Sequence, residues 1–277
     1  MGYSNKKCNY EFFYRRGKVL SNFKEGERDY LIKIEFDKSV EFIECRPGQF
    51  AMIRVPCSSN KNFMLPRPYS IANQTERGIE VLVRVVGKGS EMLSSLKAGA
   101  SVDVMYPLGN GFPSSNGFSN PVAVAGGCGI APLGFLARKE IVGGRKLRIL
   151  YGASTKEELV LISHLSSICN LELATEDGSD GYCGTVFDLL KEKCHELNFD
   201  LIFVCGPTPL LKKTALFAIE KNVKCFVSVE TLMGCGFGGC LGCAVNMRDG
   251  NYLRACREGP VFDARDIDWE RFAGVGV

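Results

Sequence analysis

No stretch of this sequence is apolar for long enough to cross a bilayer. The N-terminal MGYSNKKCNYEFFYRRGKVL also lacks the continuous apolar run of a signal peptide. Met1-Gly2 is followed by Lys6 where an N-myristoylation signal needs Ser or Thr. These absences lead to the expectation of a cytoplasmic protein without membrane attachment. Histidine is scarce as well. His164 and His195 are the only two, each in a helical-looking stretch with no partner of obvious purpose, so neither is expected to be catalytic. Basic charge is not concentrated: 34 Lys and Arg against 31 Asp and Glu leave a net charge of +3 spread along the chain, which argues against nucleic acid as a partner. There is no internal repeat, no low-complexity tract and no (β/α)8 pattern.

What is present fits a folded, multidomain chain. Hydrophobic residues make up 45% and charged residues 23% of 277 positions, a globular balance long enough for two modest domains with an appended module. The first third reads as β structure. DYLIKIEF (Asp29 to Phe36) and IEVLVRVV (Ile79 to Val86) are strand-like, RPGQFAMIRV is a turn feeding a strand, and ASVDVMYPLGNGF is a strand ending in a Gly-rich turn. Short strands with little helix predict a small antiparallel barrel. The polar, punctuated PSSNGFSNP (Pro113 to Pro121) marks a boundary. After it, strands such as PVAVAGG, RKLRILYGAS, NLELATEDGS, DLIFVCG and VKCFVSVE alternate with helical patterns, which predicts a doubly wound parallel sheet. From Thr231 the alternation dissolves. The division expected is a barrel domain at 1–115, an α/β domain at 116–228 and a small C-terminal lobe at 229–277.

Thirteen cysteines in a chain without a secretion signal are expected to stay reduced or to bind metal. Nine of them (Cys8, Cys45, Cys57, Cys128, Cys169, Cys183, Cys194, Cys205, Cys225) are scattered, and as isolated residues each reads first as a small buried hydrophobe. The other four, Cys235, Cys240, Cys243 and Cys256, follow the spacing C-x4-C-x2-C-x12-C. The first three reproduce the plant-type ferredoxin arrangement for a [2Fe–2S] cluster. Glycines at 234, 236, 238, 239 and 242 suit a loop whose backbone N–H groups approach sulfur. A four-cysteine zinc site is the competing reading. It usually pairs two C-x2-C knuckles, and only one is present here.

Four further motifs stand out, three of them following strands. RPYS (Arg67 to Ser70), by itself a Pro-containing turn into a strand, is accompanied by GKGS (Gly87 to Ser90), which opens a helix and can turn backbone amides toward a phosphate. GGCGIAPL (Gly126 to Leu133) opens a helix after a buried strand, as dinucleotide loops do, and CGPTPLL (Cys205 to Leu211) ends another strand on the same edge. In this order the residues resemble the ferredoxin–NAD(P) reductase superfamily over nearly the whole chain. With MGCGFGGCLGCAV and CREGPVFDARDIDW behind them, they resemble more narrowly the electron transfer subunits of class B dihydroorotate dehydrogenases, the flavin and iron–sulfur partners in pyrimidine synthesis.

The resemblance implies an FAD-binding barrel, an NAD-binding α/β domain and a [2Fe–2S] lobe. It implies that Arg67 holds the FAD pyrophosphate, that Pro68 and Tyr69 lie at the flavin with Tyr69 packed on its ring, and that Ser70 sits near N5, where hydride arrives. Gly87, Gly89 and Ser90 would close around the FAD phosphates, and Gly127, Gly129 and Pro132 would shape the dinucleotide loop. Cys205, Gly206 and Pro207 would lie by the nicotinamide, which makes Ser70 and Cys205 the implied catalytic pair. Cys235, Cys240, Cys243 and Cys256 would ligate the cluster. Cys128 departs from the pattern, standing where Gly or Thr is expected. NAD is favoured over NADP, because Lys156 is followed by Glu157 and Glu158 where a 2′-phosphate usually meets a basic residue. The implied partner is an FMN-containing dihydroorotate dehydrogenase catalytic subunit, in a heterotetramer. Related subunits of a sulfhydrogenase, a sulfite reductase or a bifurcating transhydrogenase are the nearest alternatives. A zinc-stapled nucleotide-binding module without redox activity is an alternative of another class.

Overall fold

β-Branched residues at alternate positions build the N-terminal half. The computed structural model describes residues 13–37, 43–56 and 65–274. Strands β1 (Phe13–Lys24), β2 (Asp29–Phe36), β3 (Phe50–Arg54), β4 (Arg67–Thr75), β5 (Gly78–Arg84) and β6 (Ser101–Leu108) close into an antiparallel barrel in the order β1-β2-β5-β4-β3-β6. Helix α1 (Lys88–Ser94) follows β5. Ile32, Ile34, Ile71, Ile79, Val81, Val83, Val102 and Val104 fill the barrel and are fully buried. β1 was not foreseen from the sequence, because its outward face carries Arg16 and Lys18 and its apolar face is thin. RPYS begins β4 instead of preceding it, with Phe50 paired to Ser70, Met52 to Pro68 and Ile53 to Arg67.

The second half is a seven-stranded sheet in the order β10-β9-β8-β7-β11-β12-β15. Its strands are β7 (Pro121–Gly126), β8 (Arg148–Ala153), β9 (Asn170–Thr175), β10 (Tyr182–Cys183), β11 (Leu201–Cys205), β12 (Lys224–Ser228) and β15 (Val261–Asp263). All pairs are parallel except β12–β15. Helices α2 (Ile130–Val142), α3 (Ile162–Leu165), α4 (Val186–Leu197) and α5 (Thr208–Glu220) make the connections. The chain winds outward from β7 through β8 and β9, then returns to place β11 on the other side of β7. The topological switch point therefore lies between these two strands, at their C-terminal ends.

The C-terminal segment holds more regular structure than its sequence suggests. It forms the hairpin β13 (Ala244–Asn246) with β14 (Tyr252–Arg254), and β15 then joins the sheet antiparallel to β12. Its core is shared: Cys243, Val245, Cys256 and Trp269 are buried in one cluster with Phe50, Met52 and Leu108 of the barrel and Val227 of the sheet. α2 binds the two halves, since Phe135 is buried in the barrel core while Ile130 and Leu133 pack with the sheet.

Of the scattered cysteines, Cys45, Cys169 and Cys225 are buried as expected, and Cys8 and Cys57 lie outside the described residues. Cys183 is exposed, contrary to the expectation, because β10 is a two-residue edge strand in a glycine-rich loop that leaves its side chain uncovered. His164 is exposed on α3, where its Nε2 lies 3.2 Å from Glu25 Oε1.

Candidate functional site

The RPYS strand and the GKGS turn meet. A Cβ on Gly89 would stand 3.0 Å from Arg67 Nε, so glycine there gives the guanidinium its room, and a Cβ on Gly87 would meet nothing within 4 Å. Arg67 donates to the Leu65 carbonyl. Ser90 turns its hydroxyl inward: Oγ accepts from Val86 N at 3.0 Å and Gly87 N at 3.2 Å, and donates to Gly87 O at 2.9 Å. It thus fixes the first turn of α1, and the open space lies over Gly87. Ile53, Leu65, Arg67, Tyr69, Gly89 and Met92 line a small cleft here. Burial pushes the Tyr69 phenol up to about 12, with Arg67 acting weakly the other way.

At the switch point two loops touch backbone to backbone. A Cβ on Gly129 would fall 2.1 Å from the Cys205 carbonyl oxygen, and one on Gly206, at φ +155°, would fall 3.0 Å from Gly126 Cα. Gly127 adopts φ +51° beside Arg84. Pro132 is buried in the first turn of α2, and Pro207 caps α5. The junction with the barrel is ionic. Arg84 of β5 holds Asp29 of β2 through Nε–Oδ1 at 2.9 Å and Nη2–Oδ2 at 3.0 Å, and Cys128 donates to Asp29 Oδ1 at 3.4 Å. The thiol that departs from the expected Gly or Thr thus serves as a donor to the barrel's Asp29.

Burial pushes both Cys205 and Cys128 up to about 12, so each thiol stays protonated at neutral pH. The Ser228 hydroxyl opposes the shift at Cys205, and Arg84 opposes it at Cys128. Glu230, just past β12, was missed in the sequence reading because no motif surrounds it. The residue keeps an exposed surface beyond the C-terminal end of β12, yet desolvation of its carboxyl raises it above the usual range, and its charge acts on both thiols.

The four clustered cysteines stand as two pairs. Cys243 and Cys256 are buried with sulfurs 3.1 Å apart. Cys235 Sγ accepts from Gly239 N at 3.2 Å and Cys240 N at 3.4 Å, and Cys240 is exposed. Desolvation would raise the Cys235 thiol, but the Cys240 and Phe237 N–H groups, the Cys240 thiol and the Gly239 N–H together bring it down to about 7. Burial, then the neighbouring Cys243, raises Cys256. Among the described residues no three His, Cys, Asp or Glu side chains converge on one point as ligands of a single ion. A zinc site needs four donors on one centre, whereas a two-iron cluster takes two thiolates on each iron, so the pairs fit the cluster. The loop also rests on the barrel. A Cβ on Gly236, at φ +81°, would lie 2.4 Å from Met52 Cγ, and Met52 is the partner of Pro68 in the RPYS strand.

Among the described residues no helix is long and apolar enough to cross a membrane. A profile for the "Oxidoreductase FAD-binding domain" matches residues 20–112, and one for the "Iron-sulfur cluster binding domain of dihydroorotate dehydrogenase B" matches residues 230–268. The electron transfer subunit of dihydroorotate dehydrogenase B (NAD(+)) from Caldanaerobacter subterraneus subsp. tengcongensis is 36% identical over 255 residues, covering 91% of this chain and 97% of that relative. The subunit of the same name from Desulforamulus reducens is 35% identical over 259 residues, with the same coverage. Among solved structures, an NADH-dependent reduced ferredoxin-NADP oxidoreductase, described for flavin-based electron bifurcation, superposes with a TM-score of 0.82 at 32% identity, covering 92% of this chain and 91% of that one. A ferredoxin reductase of carbazole 1,9a-dioxygenase shares the fold, with a TM-score of 0.67 at 19% identity over 78% of this chain and 68% of that one. Identity at this level along nearly the full length of both chains decides the matter: this protein belongs to the family of dihydroorotate dehydrogenase B (NAD(+)) electron transfer subunits.

Proposed function

We propose that the chain is an oxidoreductase subunit that carries electrons between NAD and an FMN-containing dihydroorotate dehydrogenase subunit, through FAD and a [2Fe–2S] cluster, in the cytoplasm. The observation that carries this reading is the seating of the cysteine loop on the barrel wall, with Gly236 against Met52 and Met52 paired with Pro68. Residues 1–115 form the flavin domain, 116–228 the nicotinamide domain and 229–277 the cluster lobe, the last stitched to the second by β15.

When bound, the flavin exchanges hydride with nicotinamide and single electrons with the cluster, which converts two-electron into one-electron chemistry. Arg67 supplies the cation for the FAD pyrophosphate, and Gly87 and Gly89 keep its approach clear while Ser90 fixes the turn between them. Pro68 and Tyr69 form the floor, and Tyr69 presents a neutral ring because its phenol ionises far above neutral pH. Ser70 of β4, paired with Phe50, would offer a hydroxyl to the flavin on the face where a nicotinamide would dock. Gly127, Gly129 and Gly206 let two backbones meet at the switch point, and the N-terminal turns of α2, with Pro132, and of α5, capped by Pro207, would face a dinucleotide bound there. Cys205 stays a protonated thiol, so beside a bound nicotinamide it would present a soft neutral atom and would not compete as a nucleophile. Cys235, Cys240, Cys243 and Cys256 hold the cluster.

The experiment is co-purification with the FMN subunit followed by a dihydroorotate:NAD⁺ assay. The isolated chain should reduce dyes with NADH and leave dihydroorotate untouched, and adding the catalytic subunit should restore NAD⁺-coupled turnover through a stable heterotetramer. Failure to associate or to couple would favour a second reading, a subunit of a bifurcating oxidoreductase, which the 0.82 TM-score with such a structure keeps in view.

A further inference from the structure

The peptide between Gly238 and Gly239 is held at both ends. Its N–H, on Gly239, donates to Cys235 Sγ at 3.2 Å, and its carbonyl, on Gly238, accepts from Arg254 Nη1 at 3.1 Å. A trans peptide points its C=O and N–H in opposite directions, so a donor on the oxygen fixes where the hydrogen aims and polarises the bond that carries it. Arg254 is held in turn. Glu258 accepts from its backbone N at 2.8 Å and its Nε at 3.0 Å, and forms the second arm of the fork with Nη2. Both side chains are largely shielded from water, at 27% and 29% exposed. Gly238, at φ +91°, makes the approach possible, since a Cβ there would crowd Arg254 Nη1 at 3.3 Å and Arg257 Cδ at 3.1 Å. Arg254 lies on the strand that ends two residues before Cys256, opposite Ala244, the residue after Cys243. One guanidinium therefore ties together the two segments that bear the four thiols.

We propose that Arg254 is a positioning residue that orients the Gly238–Gly239 peptide onto the Cys235 sulfur and sets the reduction potential of the cluster, with Glu258 as its opposing charge. The proposal rests on the reading that these four cysteines hold a [2Fe–2S] cluster. Reduction adds one electron, hence one negative charge, to the cluster and its thiolates. An N–H aimed at sulfur and a nearby cation both stabilise the added charge, and a nearby carboxylate opposes it. Removing Arg254 takes away the first two and leaves Glu258 unopposed, so all three changes act in one direction.

The test is an EPR-monitored redox titration of the full chain after cluster reconstitution, with iron and sulfide counted first. Arg254→Gln should keep its iron and lose about tenfold in the one-electron reduction equilibrium, about 59 mV toward more negative potential. Arg254→Lys, which keeps the charge but not the fork, should fall between. Glu258→Gln should shift the potential the opposite way, which a merely structural role would not produce. An unchanged potential in an iron-replete Arg254→Gln protein overturns the inference. If Arg254→Gln cannot hold iron, Glu258→Gln decides, and no upward shift there overturns it equally. Wild-type chain with stoichiometric zinc and no sulfide overturns the cluster reading itself, and the inference with it.

Discussion

The barrel and the cluster lobe sit against each other and are stabilised by different means. The barrel closes all its strand edges and buries eight isoleucine and valine side chains completely, so its stability is inherent in its own chain. The cysteine loop has no such core. Phe237 and Leu241 are exposed on it, Gly236 and Gly238 hold positive φ, and its hairpin has three residues per strand. Such a segment folds largely by binding its ligand. The difference teaches that in this molecule cofactor content and global stability report on different regions and can be separated by mutation.

The strongest way to break the comparison is Cys243→Ser. One of the two buried thiols of the lobe becomes a poor iron ligand, and the binding energy that orders the loop is lost. Iron and sulfide should fall at least about tenfold from two each per chain, as the cluster formula requires, while FAD absorbance and NADH–dye reduction persist. Loss of FAD from an otherwise folded variant would show that the two regions are one unit. The reciprocal change is Ile32→Ala in the barrel core. Ile32 is fully buried, and its truncation should cost about 2–5 kcal/mol. The melting temperature should drop clearly, while iron per folded chain stays at the wild-type level. A matched fall in iron would contradict the separation.

The same contrast explains what could be read from the sequence. Barrel strands such as Asp29–Phe36 were legible because they are rich in β-branched and aromatic residues, with Ile32, Ile34 and Phe36 all buried. β1 was not, since Arg16 and Lys18 occupy its outer face and mask the period. β13, β14 and β15 were missed because three-residue strands carry no period at all. The cysteine spacing was legible as chemistry, but the burial of Cys243 and Cys256, unlike half-buried Cys235 and exposed Cys240, comes from their packing beside Val245 and Trp269. Glu230 and Arg254 act through neighbours distant in sequence, which no local pattern discloses.

Gly236→Ala tests the contact between the two regions. A Cβ at φ +81° costs about 1–2 kcal/mol in backbone strain, and it would also push on Met52, so the loop must shift off the barrel wall. Iron occupancy should become partial and the EPR line shape should change, with the barrel's unfolding temperature nearly preserved. Full occupancy with an unaltered spectrum would mean that Met52 simply yields and the contact does not position the loop.

The smallest effect expected is on the barrel wall that faces the cluster loop. Asp103 of β6 lines the same cleft as Cys235 and Met52, a cavity of about 280 Å³. It accepts from Arg54 Nη2 at 2.7 Å and from Arg16 Nε at 3.3 Å. Desolvation would raise its carboxyl, but the hydrogen bonds from Arg54 and Arg16 outweigh it and hold the pKa below the usual aspartate value. Asp103 itself is only 3% exposed, but its arginines are 41% and 69% exposed, so screening limits the network to about 1 kcal/mol. A depressed folded-state pKa means that this stability is fully present above the unfolded value of about 3.9 and is lost as pH falls through the folded one. Asp103→Asn should therefore melt a few degrees below wild type at pH 7, and the gap should narrow only below about pH 4. Iron content should not change, because the network braces the barrel and touches no thiol. A gap that stays constant down to pH 3 would show that the effect is steric and not ionic. A loss of iron would show that the cleft wall belongs to the cluster lobe, and the line between the two regions would have to be redrawn through β6.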